Sequence, residues 1–382
     1  MNEVGIVSFG HSNYGAFGKT VQEIIGPVIE QCLGGVDNGL DPKDVDQVIV
    51  SAVDNQFSNQ HQTGALALRF LKNPEAEAFR VEAACASGSV AANIAYKSIK
   101  FGIARNVLVV GFETMTRLST RESTSVLIRG GSPEENMHGI TQPAAYAMMS
   151  QLYSDRYGAT EDDYALVSVK NHENAMRNPW AMFHKKLTVD DVKKSKVVAS
   201  PIRLMHCSPI ADGAAAILLS GEPRKYTDTP VYVKGIGMAH DVLGVFEKDD
   251  PTSIKATKKA ASKAYRMAGI DASKVDIAEV HDAFTPVELM IYEALGFAER
   301  GQGFKLLREG TVMHSGSLPV NVSGGLKAKG HPVGATGIGM MVEQFRQLRG
   351  EIGERQVPDV EIALVENHGG TGATSIVTIL SR

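Results

Sequence analysis

Cysteine is scarce in this chain. The three residues, Cys32, Cys85 and Cys207, are odd in number, widely spaced and without a CxxC pair. That excludes a disulfide framework and a zinc site built on cysteine pairs, and no metal is expected. Long apolar runs are missing as well, and the opening MNEVGIVSFGHSNYG has no charged segment leading into an apolar one. No membrane span or secretory leader is read, and a cytoplasmic protein is expected. Charge of one sign accumulates nowhere: 39 Lys and Arg stand among 43 Asp and Glu, for a net charge of −4. There is no basic stripe for nucleic acid and no polybasic patch for a membrane, which leaves small molecules and other proteins as partners.

What is present is an ordinary globular composition, 43% hydrophobic and 21% charged over 382 residues, enough for two or three domains with a large core. The chain also repeats itself. GLDPKDVDQVIVSAV matches GIDASKVDIAEVHDAF, with Asp41 on Asp271 and Asp46 on Asp276, both 230 residues apart. Each copy follows an amphipathic helix, with Val21, Ile24, Ile25, Val28, Ile29 and Cys32 on one face of the first, and Ala260, Ala261, Ala264, Met267 and Ala268 on that of the second. Pro27 is expected to kink the first helix. Each half opens and closes with a short apolar strand, and NVLVVGFE and VEIALVENHGG supply further strands, so mixed sheets covered by helices are expected. Residues 114–200 have no counterpart in the second half. They read as an inserted loop domain between an N-terminal half (1–113 with 201–222) and a C-terminal half (223–382).

The segment NVSGGLKAKGHPVGATG, 321–337, is rich in glycine and nearly free of bulky side chains, a pattern that packing explains poorly. It reads as an active-site loop in which glycines bring backbone close to a ligand, while His331, held between Gly330 and Pro332, keeps a free imidazole. In FRVEAACASGSVAANIAYKSIKFG an extended run ends at Cys85 and a helix of small residues begins. At such a helix start the unpaired N–H groups and the dipole favour a thiolate and lower the thiol pKa; the alternative is a small buried hydrophobe. A helical stripe also follows His331, so a pseudo-twofold relation between the halves brings both helix starts to one cleft and offers a Cys–His pair for acyl transfer. His281 ends the strand of the second repeat, either as a functional group or as half of a buried His–Asp pair. His368 opens the turn NHGGTG, which either holds an oxyanion or simply turns the chain. Cys32 belongs to the apolar stripe, and Cys207 reads as structural.

Together, ACASG around Cys85, HDAF from His281, GHPVGATG from His331 and the glycine turn after His368 resemble the thiolase family, over essentially the whole chain. The likeness is closest to the archaeal and sterol-carrier-protein-type members, which carry HDxF where others carry NEAF. The resemblance implies an α/β fold of five layers, αβαβα, made of two duplicated halves, with the loop domain covering coenzyme A and the chains assembled as homodimers or homotetramers. It implies Cys85 as the acyl-accepting nucleophile, His331 as its base and His281 as the donor to the thioester oxygen in one oxyanion hole. It further implies the backbone N–H groups of Cys85 and Gly370 as the second hole, and Ser208 as a contact of the pantetheine arm of CoA. One departure stands out: Ala283 and the NHGG turn replace the second catalytic cysteine, so the α-proton falls to His368, to His281, or to His331 a second time.

The implied reaction is a ping-pong acyl transfer between CoA thioesters, two acetyl-CoA giving acetoacetyl-CoA and CoA, or the reverse thiolysis. CoA thioesters are substrates, and no permanently bound cofactor is expected. Archaeal relatives imply a 3-hydroxy-3-methylglutaryl-CoA synthase as partner, bridged by a small OB-fold, zinc-ribbon protein. Two rivals remain, a retro-aldol lyase of the same fold and an acyl-CoA-binding scaffold subunit marked by Ala283. Met148, Met149, Trp180 and Phe183 read as acyl contacts or core.

Overall fold

Paired aspartates show why the two halves fold alike. Asp41 accepts from the Lys43 N–H and caps the short turn Pro42–Asp44; Asp271 accepts from the Ser273 N–H and caps Ala272–Lys274. Five residues on, Asp46 accepts from the N–H groups of Arg105 and Asn106 at 2.7 and 3.0 Å, and Asp276 from those of Glu361 and Ile362 at 3.0 and 2.8 Å. In each half the second aspartate fastens the strand after it to the start of a parallel neighbour.

The computed structural model describes residues 3–382. Along the chain the strands are β1 Gly5–His11, β2 Gln47–Ser51, β3 Glu77–Val81, β4 Asn106–Thr114, β5 Val197–Ala199, β6 Ile202–Arg203, β7 Asp212–Ser220, β8 Val231–His240, β9 Ile277–Glu279, β10 Ile362–Gly369 and β11 Thr374–Ser381. Nine of them run in the order β3-β2-β4-β7-β1-β8-β11-β10-β9, while β5 and β6 form a separate hairpin. The large sheet is two half-sheets joined at a narrow seam, since β1 and β8 share only the pairs Gly5–Tyr232 and Ile6–Val231.

Helix Val333–Arg349 packs on β4 and β7 with one face and on β9 and β10 with another, and helix Ser87–Lys100 lies beside it. Helix Val21–Gly34 covers β1 and β7 from outside, and helix Lys255–Ala268 covers β8 and β11. The result is the five-layered arrangement helix, sheet, helix, sheet, helix. A helix between two sheets has no solvent face, which is why almost every residue of Val333–Arg349 is buried. Its carboxylate, Glu343, is matched by the equally buried Arg355 at 2.9 and 3.1 Å. The two central helices nearly touch: a Cβ on Gly337 would lie 2.6 Å from the Ser89 nitrogen.

The six residues of the apolar stripe on the first outer helix are all buried, and the helix continues through Pro27 as one element. In its counterpart Ala260, Ala261 and Ala264 are buried but Met267 is exposed. There the buried face extends one turn the other way, to Ala256 and Thr257.

Residues 114–200 add no strand to the large sheet. Their helix Glu161–Ala175 is tied to the second half by a buried ionic cluster, in which Lys170 Nζ meets Glu288 and donates to the Val320 carbonyl at 2.9 Å. Asn171 donates to Asp282 at 2.6 Å and to Glu288 at 2.9 Å. Lys170→Met leaves the Glu288 charge buried and unpaired, so chemical denaturation should show a loss of about 3–5 kcal/mol, largely restored by Lys170→Met with Glu288→Leu. A single-variant loss below about 1 kcal/mol is incompatible with this role. No helix among the described residues is long and apolar enough to cross a membrane.

Candidate functional site

Cys85 stands on a sharp elbow between β3 and the central helix Ser87–Lys100. Ala84, just before it, takes the left-handed conformation at φ +49°, rare for a residue with a side chain. Ser87 holds the elbow shut, donating to the Ala84 carbonyl at 2.6 Å and accepting from the Ala83 N–H at 2.8 Å. The backbone N–H groups of Cys85 itself and of Gly370 favour negative charge on the sulfur. The thiol nevertheless departs from the expected lowered pKa. Burial pushes it up to about 12, because the low-dielectric surroundings penalise a thiolate more than the helix start and the two N–H groups favour it.

Around that sulfur stand two imidazoles in opposite tautomers. Thr336 donates its hydroxyl to the Pro332 carbonyl at 3.1 Å, so at 2.7 Å from His331 Nδ1 it can only accept. His331 therefore carries its proton on Nδ1 and turns a bare Nε2, without a protein partner, into the site. His281 is the converse. Asn367 Nδ2 donates to the Cys85 carbonyl at 3.0 Å, which fixes the amide orientation, and also lies 3.0 Å from His281 Nδ1. That nitrogen must accept, and the His281 proton sits on Nε2. Burial, then the neighbouring His368, lowers His331 to about 3; burial, then His368 and His331, holds His281 well below the usual histidine range. Both rings are neutral at physiological pH.

The Cys85 sulfur and one nitrogen each of His281 and His331 lie within 4.8 Å of one another. A thiol with two imidazoles is also a donor set that suits a soft cation such as zinc.

The glycine loop carrying His331 corrects its own reading. Its glycines face protein, not an open cleft: a Cβ on Gly325 would lie 2.4 Å from Asp282 Oδ2, and one on Gly334 2.5 Å from the Phe112 carbonyl. Packing does explain the pattern, because the loop threads between HDAF and the central layer. Asp282 anchors it, accepting from the N–H groups of Leu326 and Lys327 at 2.6 and 3.2 Å. Burial, then the nearby Glu288, raises this carboxyl to about 7.

His368 is fully buried, with Nδ1 3.1 Å from Glu366 and Nε2 3.0 Å from the Tyr146 hydroxyl. Its ring centroid lies 4.4 Å from that of His281, which is 5.0 Å from that of His331. Tyr146 comes from the inserted segment; it donates to the Gly370 carbonyl at 2.6 Å and its ring stacks on Phe284 of HDAF at 4.7 Å. The Ser208 N–H donates to the Ala283 carbonyl at 2.9 Å, and residues Cys207 and Ile210 bridge to Phe284 and His331. Cys85, His281, His331, His368, Gly370 and Ser208 are thus gathered in one region.

Other expectations fall elsewhere. Trp180 stacks on His11 at 4.3 Å and packs into the core, Met149 is fully buried in a second core cluster, and Met148 is exposed. Asp282, read as a possible partner of His281, bonds instead to Asn171 and the loop backbone. Asn367, Glu366, Thr336 and Tyr146 were missed; the first two adjoin His368, Thr336 lies within the glycine loop, and Tyr146 lies 222 residues from its histidine and carries no local signal.

Comparison with known proteins agrees with this geometry. Residues 4–223 match the family model described as thiolase, N-terminal domain, and residues 237–382 match thiolase C-terminal domain-like. The chain is 39% identical to an acetyl-CoA acetyltransferase of Methanothermobacter thermautotrophicus, with both chains covered completely. It is 36% identical to one of Methanocaldococcus jannaschii, covering 100% of this chain and 99% of that one. Among solved structures, an Ltp2-ChsH2(DUF35) aldolase superposes with a TM-score of 0.83 at 21% identity, over 99% of this chain and 97% of that one. With both halves matched and full-length relatives at this identity, the chain belongs to the thiolase family.

Proposed function

We propose that this enzyme transfers acyl groups between coenzyme A thioesters through an acyl-enzyme on Cys85, converting two acetyl-CoA into acetoacetyl-CoA and CoA, or running the thiolysis in reverse. The observation that carries the reading is the pair of opposed tautomers around one sulfur. His331 Nε2 takes the Cys85 proton as the sulfur attacks the thioester carbonyl, and returns it to the departing CoA thiolate. The Cys85 and Gly370 N–H groups face the oxyanion formed at the acyl carbon, and His281 Nε2–H faces the carbonyl oxygen of the second thioester as it becomes an enolate. Each donor set contributes on the order of 3 kcal/mol to its transition state. His331 Nε2, bare again once it has protonated CoA, takes the α-proton; the enolate carbon then attacks the acyl carbon, and the tetrahedral adduct collapses to a Cys85 thiolate that recovers this proton from His331.

Supporting the substrate class are the names of the full-length relatives, both acetyl-CoA acetyltransferases. Incubation with acetyl-CoA followed by peptide mass spectrometry should place an acetyl group on Cys85; an unmodified Cys85 peptide rejects the reading. The retro-aldol alternative gives that thiol no task, and the scaffold alternative gives none to the tautomers.

The division at residues 114–200, with Ser208 at the pantetheine arm, belongs to the same proposal, with Tyr146 and Phe284 in contact as its support. Assembly as a homodimer or homotetramer is favoured by β3, an edge strand with Phe79 exposed. A synthase and an OB-fold, zinc-ribbon protein are proposed as partners, in keeping with the DUF35 subunit in the aldolase complex. Particle mass in solution, alone and with both partners, checks these assemblies.

A further inference from the structure

The donors that handle a proton at the nucleophile also suit a soft cation. His331 Nε2 is bare, without a protein partner, on a residue only 7% exposed. Cys85 Sγ lies within 4.8 Å of a nitrogen of that ring and of one on His281. Zinc binds thiolate sulfur at about 2.3 Å and imidazole nitrogen at about 2.0–2.1 Å, which sets the two about 3.6 Å apart in a tetrahedral site. A shift of at most about 1.2 Å therefore brings sulfur and nitrogen into range. His281 plays a different part. While Asn367 donates to its Nδ1, the proton stays on Nε2, so this ring does not ligate directly and donates to a water on the ion instead. His368 is barred, its ring nitrogens lying 3.1 Å from Glu366 and 3.0 Å from the Tyr146 hydroxyl. The other cysteines lack such a setting: the Cys32 sulfur lies 3.4 Å from the Ser8 hydroxyl, and that of Cys207 lies 3.4 Å from the Arg203 carbonyl. Among the described residues no other group of three His, Cys, Asp or Glu donors converges so closely.

We propose that Cys85 and His331 form a reversible binding site for Zn²⁺, and that the bound ion inhibits the enzyme by excluding the acyl donor. Binding breaks the Cys85 S–H bond, forms S–Zn and Nε2–Zn bonds, and hands the proton to solvent. Nothing is oxidised, and water completes the coordination. The dication supplies the opposite charge that a lone thiolate lacks in these low-dielectric surroundings. With sulfur and nitrogen both on the ion, neither nucleophile nor base is left, so zinc and acetyl-CoA compete for one site. Once acetylated, the sulfur no longer offers a thiolate, and the acyl-enzyme does not take up the ion. The inhibition rests on the acyl-transfer reading above; the binding does not.

The test uses the full-length enzyme, freed of metal by a chelator, with zinc chloride as the probe. Iodoacetamide followed by peptide mass spectrometry reads the sulfur without calling on acyl transfer. At a zinc concentration about 100 times Kd, mass action leaves about 1% of the thiol free, so alkylation of Cys85 should slow about 100-fold and recover on chelation. Alkylation of Cys207 should not change. By calorimetric titration, Cys85→Ala and His331→Ala should each weaken zinc binding by about 100-fold or more, since even outer-shell partners of a metal are worth about 10–100-fold. Zinc that leaves Cys85 alkylation within about threefold of its metal-free rate, or that binds either variant within about threefold of the parent affinity, overturns the site. Zinc should also slow acetylation of Cys85, and inhibition that excess acetyl-CoA does not relieve overturns the competition. A metal-free parent that is never acetylated, while zinc still blocks its alkylation, overturns the acyl-transfer reading instead.

Discussion

Cys85→Ala should abolish the acyl adduct and lower kcat/KM for acetoacetyl-CoA thiolysis by about 10⁴-fold or more, roughly 5–6 kcal/mol of transition-state stabilisation. The size of the effect follows from where the catalytic groups point. The Cys85 and Gly370 N–H groups favour negative charge at the sulfur, and the sulfur lies within 4.8 Å of a nitrogen on each of His331 and His281. Without the thiol, His331 has no proton to take. The fold should not suffer, since an alanine fits wherever the cysteine did, so an unchanged thermal midpoint is part of the expectation. Cleavage of a β-hydroxyacyl-CoA that survives Cys85→Ala would instead support the retro-aldol reading.

Alkylation of Cys85 by iodoacetamide should rise about tenfold per pH unit between pH 7 and 10, with no plateau near neutrality. With the thiol pushed up to about 12 and His331 lowered to about 3, the resting pair is thiol and neutral imidazole. The thiolate fraction therefore grows with every unit of pH up to the thiol pKa. A preformed thiolate–imidazolium pair would give the opposite profile, flat between the two pKa values. His331→Ala should leave this slope intact while cutting acetylation of Cys85 by about 100-fold or more, because it removes the proton acceptor rather than an ion-pair partner. A flat alkylation profile from pH 5 to 8 sinks this account of the resting site.

How much of this could be read from the sequence depended on whether the determining contact was local. Asp41 with Asp271, and Asp46 with Asp276, are visible because each acts on backbone a few residues away or at the next strand. Cys85 could be found because it ends an extended run and opens a helix, and His331 because it stands between Gly330 and Pro332 just before a helical stripe. The thiol pKa was misread because a helix start is written in the sequence while burial is not. The glycine loop was misread for a related reason: its crowding comes from Asp282, Ser51 and Phe112, all distant in the chain. Met267 kept its place in the helical period, yet the sheet beneath is met one turn earlier. Tyr146 is the extreme case, since only the folded inserted segment brings it to His368.

The narrow seam between the half-sheets, with the Gly337–Ser89 contact across the central layer, has a consequence for the newly made chain. The ribosome delivers Cys85 long before His281, His331 or His368, so a partly synthesised molecule holds a thiol and no base. Chemistry begins only when the late-made helix Val333–Arg349 closes against Ser87–Lys100, and recovery of turnover during refolding should follow that docking step with a single time course.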